Sequence, residues 1–236
     1  MDTTRIVVVT GANRGIGRAI AERLVHDGLE VVGLHRSGQV PDGVHSVTAD
    51  LRDGAAVREA WAHIRKEVGP PTGLVANAGI TRDGLLLRMS EEDFCDVVDT
   101  NLTGVFRCVK ELSRDVVRAK YGRIVLISSV VGFYGGMGQV NYASAKAGLV
   151  GMARSLTREL GGRGVTANVV APGFVNTDMT AVLPESVTAD YLSRIPAGRF
   201  AEPSEIAAAV SFLVSEESGY ISGAVIPVDG GLGMGH

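Results

Sequence analysis

The chain has 236 residues, of which 45% are hydrophobic and 21% are charged, and its formal net charge is −3 at pH 7. This balance is typical of one well-packed globular domain, which we expect to cover residues 1–236, and it argues against nucleic acid or a membrane as the partner. No apolar run reaches the roughly 18 residues that a membrane-spanning helix needs. The N-terminus lacks a signal-peptide pattern, so we expect a cytoplasmic protein.

Cysteine and histidine usage indicates neither disulfides nor metals. The two cysteines, Cys95 and Cys108, have no C-x-x-C spacing and are expected to be reduced and packed. The five histidines are scattered, with no pair at the spacing of metal ligands. We therefore expect no bound metal.

Short apolar runs predict strands along the whole chain. In chain order they lie at residues 5–10, 30–34, 73–79, 122–129, 165–173 and 223–231, with a weaker candidate at 45–50. Several of these runs are apolar at consecutive positions, which is typical of strands that are covered on both faces.

Longer amphipathic segments between the strands predict helices. They lie at residues 16–27, 55–68, 103–119, 142–161 and 203–215. The alternation of strand and helix predicts an α/β fold, a single Rossmann-type doubly wound parallel sheet of about seven strands with helices on both faces. Ligands of such sheets bind at the carboxyl ends of the strands.

The first strand ends in a glycine-rich loop, "TGANRGIG", at residues 10–17. Gly11, Gly15 and Gly17 follow the spacing G-x-x-x-G-x-G. Glycines at such a junction permit a tight turn and let a pyrophosphate approach the helix N-terminus. A plain strand-to-helix turn is the alternative, but the position after the first strand favours dinucleotide binding.

The end of the second strand, "VVGLHRSG", bears on the choice of cofactor. It lacks the Asp or Glu that holds the ribose 2′-hydroxyl of NAD. Arg36 there and Arg14 in the glycine loop could instead bind a 2′-phosphate, because guanidinium groups match phosphate geometry. This pattern favours NADP, although both arginines could also be ordinary surface residues.

Asp50 and Leu51 follow the third strand, where a carboxylate and a backbone N–H could meet an adenine edge. Asp50 could equally be the N-cap of the next helix.

Candidate catalytic residues occur at the later strand ends. Tyr142 and Lys146 are four residues apart, on one face of a predicted helix. They are either a snorkelling surface pair or a phenol whose acidity is tuned by a cation. Ser129 closes the fifth strand and Asn101 lies at the start of a predicted helix. As alternatives, Ser129 could be a turn residue and Asn101 an N-cap.

These motifs together resemble the short-chain dehydrogenase/reductase family over essentially the whole chain. The markers TGxxxGxG, NAG, Asn, Ser, YxxxK and PGxxxT occur in order. Ala76 departs from the pattern, since many members have an asparagine there. The resemblance implies that Tyr142 protonates a carbonyl oxygen and that Ser129 orients the carbonyl. Of the two serines that end the strand, only one should point into the cleft, and Ser129 is expected rather than Ser128.

The resemblance also assigns roles to the other site residues. Lys146 would lower the pKa of Tyr142 and bond the nicotinamide ribose, and Asn101 would hold a water that links Lys146 to solvent. The residues expected to bind the cofactor are Gly11, Asn13, Arg14, Gly15, Ile16, Gly17, Arg36, Asp50, Leu51, Asn77, Ala78, Gly79, Tyr142, Lys146, Pro172, Gly173, Val175 and Thr177.

Within the family, residues 122–180 and the C-terminus resemble the β-ketoacyl-acyl carrier protein reductases, with features of the actinobacterial long-chain branch. The resemblance implies NADPH-dependent reduction of a 3-oxoacyl thioester on an acyl carrier protein. It also implies a homotetramer and a mobile substrate lid at residues 178–200. Possible acyl contacts in the lid are Met179, Val182, Leu183, Tyr191 and Ile195. These could equally pack a short helix.

The resemblance places carrier-docking cations at Lys120 and Arg163, with Arg118, Arg123 and Arg158 near them in sequence. Scattered solvated cations are the alternative. Two other functions stay open, namely a related reductase for another carbonyl compound and a non-catalytic dinucleotide-binding protein.

Overall fold

Seven parallel strands form the centre of the protein. The computed structural model describes residues 5–177, 180 and 185–234. The strands are β1 (Ile6–Thr10), β2 (Glu30–His35), β3 (Val44–Thr48), β4 (Gly73–Ala76), β5 (Gly122–Ile127), β6 (Val165–Pro172) and β7 (Val225–Val228). They form one sheet in the order β3-β2-β1-β4-β5-β6-β7, with every pair parallel. This confirms the predicted fold class, including the weakly indicated third strand.

Helices cover both faces of the sheet. They are α1 (Gly15–His26), α2 (Gly54–Glu67), α3 (Glu91–Val98), α4 (Gly104–Ala119), α5 (Val131–Tyr134), α6 (Val140–Leu160), α7 (Glu185–Arg194) and α8 (Pro203–Val214). Neighbouring residues of β1 point to opposite faces of the sheet and pack in two separate buried clusters. Val8 packs in one buried cluster with Trp61 of α2 and Leu112 of α4. Val7 packs in the other, with Leu24 of α1 and residues of α8. Burial on both faces explains why the strands read as continuous apolar runs.

The strand order reverses beside β1, which lies between β2 and β4. From this point the chain builds one half of the sheet toward β3 and the other half toward β7. In doubly wound folds this reversal opens a crevice at the carboxyl ends of the strands, and ligands bind there. The predicted site residues lie at the ends of β1 to β6 or in the segments that follow these strands, so they gather at this edge.

The helix predicted to start at residue 103 begins at Gly104 as α4, and it is preceded by a helix that the sequence did not predict, α3. Ser90 caps α3 by accepting the Asp93 backbone N–H at 3.0 Å. A π-helical turn, Asp99–Thr103, then joins α3 to α4, and the Gly104 N–H donates to the Asp99 carbonyl oxygen. Asn101 lies inside this turn and is buried, so the alternative that it is an N-cap is wrong.

A second cap alternative is also wrong. The N-cap of α2 is Asp53, whose carboxylate accepts the backbone N–H groups of Ala55 and Ala56 at 2.8 and 3.2 Å. Asp50 lies three residues before this cap and does not start the helix.

Part of the predicted lid is described. Residues 178–179 and 181–184 lie outside the described residues, and with them the possible acyl contacts Met179, Val182 and Leu183. α7 occupies the middle of the segment, and Ile195 and Phe200 at its end are buried.

Three further expectations concern the chain as a whole. Cys108 is buried but Cys95 is exposed, so the prediction that both cysteines are packed is wrong for Cys95. No described helix combines the length and apolar character that crossing a membrane requires. Among the same residues, no cluster of three or more His, Cys, Asp or Glu side chains is arranged to hold a metal ion.

Candidate active site

The glycine loop after β1 is tight enough to require glycine. Gly11 has φ +69°, and a methyl group there would lie 3.0 Å from the Ala78 Cα. A methyl group at Gly17 would lie only 2.2 Å from the Gly11 carbonyl oxygen. At Gly15, with φ +52°, it would lie 3.6 Å from Thr177 Cγ2, so this loop faces the residues that follow β6. The backbone therefore holds an open N-terminus of α1 at the crevice.

Thr10 ties the glycine loop to the end of β4. Its hydroxyl oxygen accepts the backbone N–H groups of Asn77 and Ala78, at 3.0 and 2.9 Å. The Asn77 Nδ2 donates to the Thr10 carbonyl oxygen at 3.1 Å. Thr10 was not among the predicted site residues, although its place at the start of TGxxxGxG was the available signal. These bonds hold the ends of β1 and β4 together.

The two arginines expected at the 2′-phosphate are exposed at neighbouring loops. Neither Arg14 nor Arg36 forms a hydrogen bond or ion pair through its guanidinium group with any residue of the described ranges. The loops that carry them are joined, because Asn13 Nδ2 donates to the Ser37 carbonyl oxygen at 2.9 Å. Two unpaired cations on linked loops suit a phosphate dianion. Their role in cofactor choice stays a prediction.

Asp50 and Leu51 follow β3 at the same edge, but their polar groups already have partners. Arg52 Nη2 lies 2.9 Å from Asp50 Oδ2, and this hydrogen-bonded pair lowers the pKa of Asp50. Arg107 donates to the Leu51 carbonyl oxygen at 2.8 Å. The backbone N–H of Leu51 and the carboxylate edge of Asp50 remain the candidate adenine contacts.

Tyr142 and Lys146 lie in the first turns of α6, facing the end of β5. The Lys146 Nζ is buried, donates to the Ile127 carbonyl oxygen at 2.7 Å, and lies 5.6 Å from the centroid of the Tyr142 ring. Asn141 anchors this end of the helix. Its Nδ2 donates to the Arg82 carbonyl oxygen at 2.9 Å, and its Oδ1 accepts the Tyr142 backbone N–H. The pair is therefore part of a fixed site and not a snorkelling surface pair.

The two serines after β5 have different roles. The Ser128 hydroxyl is buried and donates to the Lys146 carbonyl oxygen at 2.9 Å, so it supports α6. The Ser129 hydroxyl lies close enough to the Tyr142 phenol to act on the pKa of that phenol, and its Oγ accepts the Val131 N–H at 3.2 Å. Ser129 is thus the serine that faces the tyrosine, as alternation along the strand predicted.

Burial dominates the ionisation of the two α6 groups. Burial raises the pKa of Tyr142 to about 12, while the nearby Ser129 hydroxyl acts to lower it and the charge of Asp83 to raise it. It lowers the pKa of Lys146 from 10.5 to about 8. The expected fall in the Tyr142 pKa is therefore not produced by the groups of the chain itself. In this arrangement the phenol is kept protonated at neutral pH.

Asn101 lies between Lys146 and the loop that follows β4. Its Oδ1 accepts the Ile80 N–H and its Nδ2 donates to the Ile80 carbonyl oxygen, each at 2.9 Å. A methyl group at Gly79 would lie 3.2 Å from Asn101 Oδ1 and 3.6 Å from Lys146 Nζ. The structure thus brings Asn101 next to Lys146, but its side chain holds the loop after β4. The predicted water remains a prediction.

An aromatic cavity of about 410 Å³ opens beside the residues that follow β6. The Phe174 ring lies 3.9 Å from that of Tyr191 and 5.5 Å from that of Phe200, measured between centroids. The cavity is lined by Tyr134, Phe174, Tyr191, Arg194, Leu232 and Met234. Tyr191 was a predicted acyl contact, whereas the other lining residues were not anticipated.

The cations predicted to dock a carrier lie at the other edge of the sheet. Lys120 precedes β5 and Arg163 precedes β6, so both lie where strands begin. Since α6 has 21 residues, it separates Tyr142 from Arg163 by about 30 Å. Arg123 is only 5% exposed and donates to the Ser215 carbonyl oxygen at 3.0 Å. It cannot contribute to a surface rim, and that part of the hypothesis is wrong.

Comparison with known proteins identifies the family. Residues 11–233 match the family model described as Enoyl-(Acyl carrier protein) reductase. The chain is 51% identical over 233 residues to the 3-oxoacyl-[acyl-carrier-protein] reductase MabA of Mycobacterium avium, covering 99% of this chain and 91% of that protein. It is 46% identical over 238 residues to the 3-oxoacyl-[acyl-carrier-protein] reductase FabG of Escherichia coli strain K12, covering 98% of each. The chain belongs to the short-chain dehydrogenase/reductase family.

A further relative is similar over nearly the same length. The MabA protein of Mycobacterium tuberculosis strain H37Rv is 52% identical over 233 residues, which is 99% of this chain and 94% of that protein. Similarity of this extent covers every strand end described above, from the glycine loop to the turn after β6.

Proposed function

We propose that this protein reduces the 3-oxo group of an acyl thioester, carried on acyl carrier protein, to a 3-hydroxyl group with NADPH in fatty acid biosynthesis. The observation that carries the proposal is the convergence of Tyr142, Ser129 and Lys146 at the strand edge that also holds the glycine loop. The choice of carbonyl is supported by the relatives at 46–52% identity, which are named 3-oxoacyl reductases.

The residues at the edge fit a nicotinamide dinucleotide. A methyl group at Gly11 or Gly17 would collide with the loop, so the turn is built to leave the N-terminus of α1 open to a pyrophosphate. Arg14 and Arg36 supply positive charge for the 2′-phosphate of NADP, and β2 ends without an acid. β6 ends at Pro172, and across the crevice Gly173, Val175 and Thr177 follow it, where the nicotinamide end would lie. When bound, the reduced nicotinamide supplies the hydride.

Tyr142 would donate the proton that the carbonyl oxygen needs as it becomes a hydroxyl. Burial keeps the phenol protonated, with a pKa of about 12, so it arrives at the reaction carrying the proton. Ser129, whose hydroxyl lies beside the Tyr142 phenol, would donate to the same carbonyl oxygen and hold it in line. A negative charge developing on that oxygen is then met by two fixed donors.

Lys146 would stabilise the phenolate that remains after proton transfer. Its buried ammonium lies one helical turn from Tyr142, and a nearby cation favours the ionised phenol. With a pKa of about 8, Lys146 can also pass a proton on near neutral pH. Asn101, held by Ile80, would keep the loop after β4 in place beside the ammonium.

The acyl chain would enter the aromatic cavity beside Phe174 and Tyr191, with residues 178–200 acting as a lid that excludes water from the hydride step.

We also place the protein in the cytoplasm. Both cysteines are unpaired, which suits that reducing compartment.

We also propose a homotetramer. Phe106 on α4 and Phe212 on α8 are 51% and 42% exposed, which is unusual for phenylalanine on a helix that faces only water. If two copies pack α4 and α6 antiparallel, Lys120 and Arg163 of one copy come beside the strand edge of the other. The carrier could then dock on cations that lie far from Tyr142 within one chain.

The decisive experiment is a substrate panel. Initial rates of NADPH oxidation would be measured with acetoacetyl-CoA, a longer 3-oxoacyl thioester, crotonyl-CoA and plain ketones, each repeated with NADH. We expect rapid turnover of the 3-oxoacyl thioesters with NADPH and little with NADH. Turnover of plain ketones alone would keep the Tyr142 mechanism and remove the fatty acid assignment.

Crotonyl-CoA is included because the matching family model is described as an enoyl reductase. Reduction of its double bond, with none of acetoacetyl-CoA, would make the enoyl reaction the function instead.

The non-catalytic alternative is tested with Tyr142→Phe. We expect the turnover of acetoacetyl-CoA to fall by about 10²–10⁴ because the proton donor is lost. Tyr220→Phe is the matched control, since Tyr220 is fully exposed and should leave the rate unchanged. Full activity in Tyr142→Phe would mean that this phenol is not the donor.

A further inference from the structure

The last described residues, 229–234, form a compact loop that we call the C-terminal loop. Asp229 organises it from within. Its Oδ1 accepts the Gly231 N–H at 2.9 Å and its Oδ2 accepts the Gly233 N–H at 2.7 Å. A backbone bond from the Leu232 N–H to the Asp229 carbonyl oxygen, at 3.2 Å, completes the turn. One carboxylate therefore fixes the backbone on both sides of Leu232.

This loop is one wall of the aromatic cavity. Leu232 and Met234 line the cavity together with the rings of Phe174 and Tyr191. Burial, and after it the charges of Tyr191 and Asp229, raise the pKa of Tyr134, another residue that lines the cavity, so Asp229 lies near this cavity. The position of the apolar wall is thus set by the conformation that Asp229 imposes.

The same loop packs against the end of the predicted lid. The Ala197 N–H donates to the Gly230 carbonyl oxygen at 3.0 Å. A methyl group at Gly230 would lie 2.9 Å from Ile195 Cγ2, and one at Gly231 would lie 3.1 Å from Pro196 Cγ. These residues directly follow α7, so the loop supports the point at which the lid rejoins the rest of the fold.

We propose that Asp229 is a positioning residue that sets the selectivity of the reductase for acyl-chain length. By holding Leu232 against the cavity, its carboxylate maintains the surface that a medium or long acyl chain would contact, whereas an acetoacetyl group carries only a methyl group beyond its 3-oxo carbon. This inference rests on the proposed function, because it assigns the cavity to the acyl chain of that same reaction.

The test compares acyl lengths in the intact protein. Values of kcat and KM would be measured with acetoacetyl-CoA, 3-oxooctanoyl-CoA and 3-oxododecanoyl-CoA at saturating NADPH. In the natural protein we expect kcat/KM to rise by up to about fourfold for each methylene that the cavity buries. In Asp229→Asn, which keeps the volume but loses one of the two acceptors, we expect kcat/KM for the longest substrate to fall about tenfold through KM. The value for acetoacetyl-CoA should fall less than twofold.

A second variant tests the wall itself. Leu232→Ala should reproduce the loss for long chains, and the double variant should be no worse than the more impaired single variant, because both act on one surface. Asp42→Asn removes an exposed acid elsewhere and should change nothing. The KM for NADPH is measured in every variant, since Asp229 also borders Gly173.

Several outcomes would overturn the proposal. They are an equal loss for all chain lengths, a rise in the KM for NADPH that accounts for the loss, or a natural protein whose kcat/KM does not depend on chain length. In each of these cases acetoacetyl-CoA is still reduced by the natural protein and the proposed function stands. A natural protein that reduces no 3-oxoacyl thioester would overturn both.

Discussion

The buried ammonium of Lys146 should carry a measurable cost in stability. The residue is 4% exposed, and burial lowers its pKa from 10.5 to about 8. A tenfold change in an ionisation constant corresponds to about 1.4 kcal/mol, so keeping this side chain charged in the native state costs roughly 3 kcal/mol. That cost is present in full below pH 8.

The sign of the pH dependence follows from which state binds the proton more tightly. Between pH 8 and pH 10.5 the unfolded chain keeps a proton on Lys146 that the native state has lost. The contribution of this group to the free energy of unfolding therefore rises with pH across that window. Below pH 8 both states hold the proton, and above pH 10.5 neither does, so the contribution is constant on either side.

Lys146→Met removes the charge but also the hydrogen bond from Nζ to the Ile127 carbonyl oxygen. An unsatisfied buried carbonyl costs about 1–2 kcal/mol. We therefore expect the variant to be more stable than the natural protein by about 1–2 kcal/mol at pH 7, and less stable by a similar amount at pH 10.5. The difference between the two proteins should reverse sign as pH rises.

Urea unfolding at a series of pH values from 7 to 10.5 would measure this reversal. The signal is the fluorescence of Trp61, the single tryptophan, which is fully buried. Both proteins are compared at one concentration, because assembly would add to stability. Lys66→Met, at an exposed lysine, is the control and should show a small difference without a trend. A constant difference between Lys146→Met and the natural protein across the series would refute the reasoning.

Three further predictions concern the cofactor loops and one helix cap. Arg36→Asp should lower the ratio of NADPH to NADH activity by at least about tenfold, since it replaces an attraction for the 2′-phosphate by a repulsion; an unchanged ratio would remove Arg36 from cofactor choice. Gly17→Ala should destabilise the protein by about 1–3 kcal/mol in thermal unfolding, because the added methyl group meets the Gly11 carbonyl oxygen at 2.2 Å; an unchanged melting temperature would show that the loop can relax. Asp53→Ala should cost about 1 kcal/mol in urea unfolding through the lost cap of α2, and a loss below a few tenths would show that the bonds to Ala55 and Ala56 add little.

The sheet and its order of elements could be predicted from sequence because parallel strands covered on both faces are apolar at almost every position. β1 and β5 are buried throughout their length, and their runs of valine and isoleucine mark them without any tertiary information. The helix α3 was not predicted from the sequence. Its first turn is acidic and resembles a loop unless Ser90 is recognised as its N-cap.

The candidate site was predictable in its residue types but not in its contacts. Tyr142 and Lys146 are adjacent by helical spacing alone. The raised pKa of Tyr142 could not be predicted from spacing, because the burial that causes it depends on which residues pack over the ring. Arg123 shows the same limit, since an arginine at the start of a strand reads as a surface cation until its carbonyl partners are known.

The π-helical turn at Asp99–Thr103 makes the site depend on the number of residues in the chain as well as on their kinds. Each residue of an α-helix advances the direction of its side chain by about 100°, so removing one residue from this turn would rotate α3 relative to α4 by that angle. Asn101 would then turn away from Ile80, although every side chain of the site was still present. A relative that keeps the asparagine but lacks the extra residue would match this protein letter for letter at the site and still lose the arrangement.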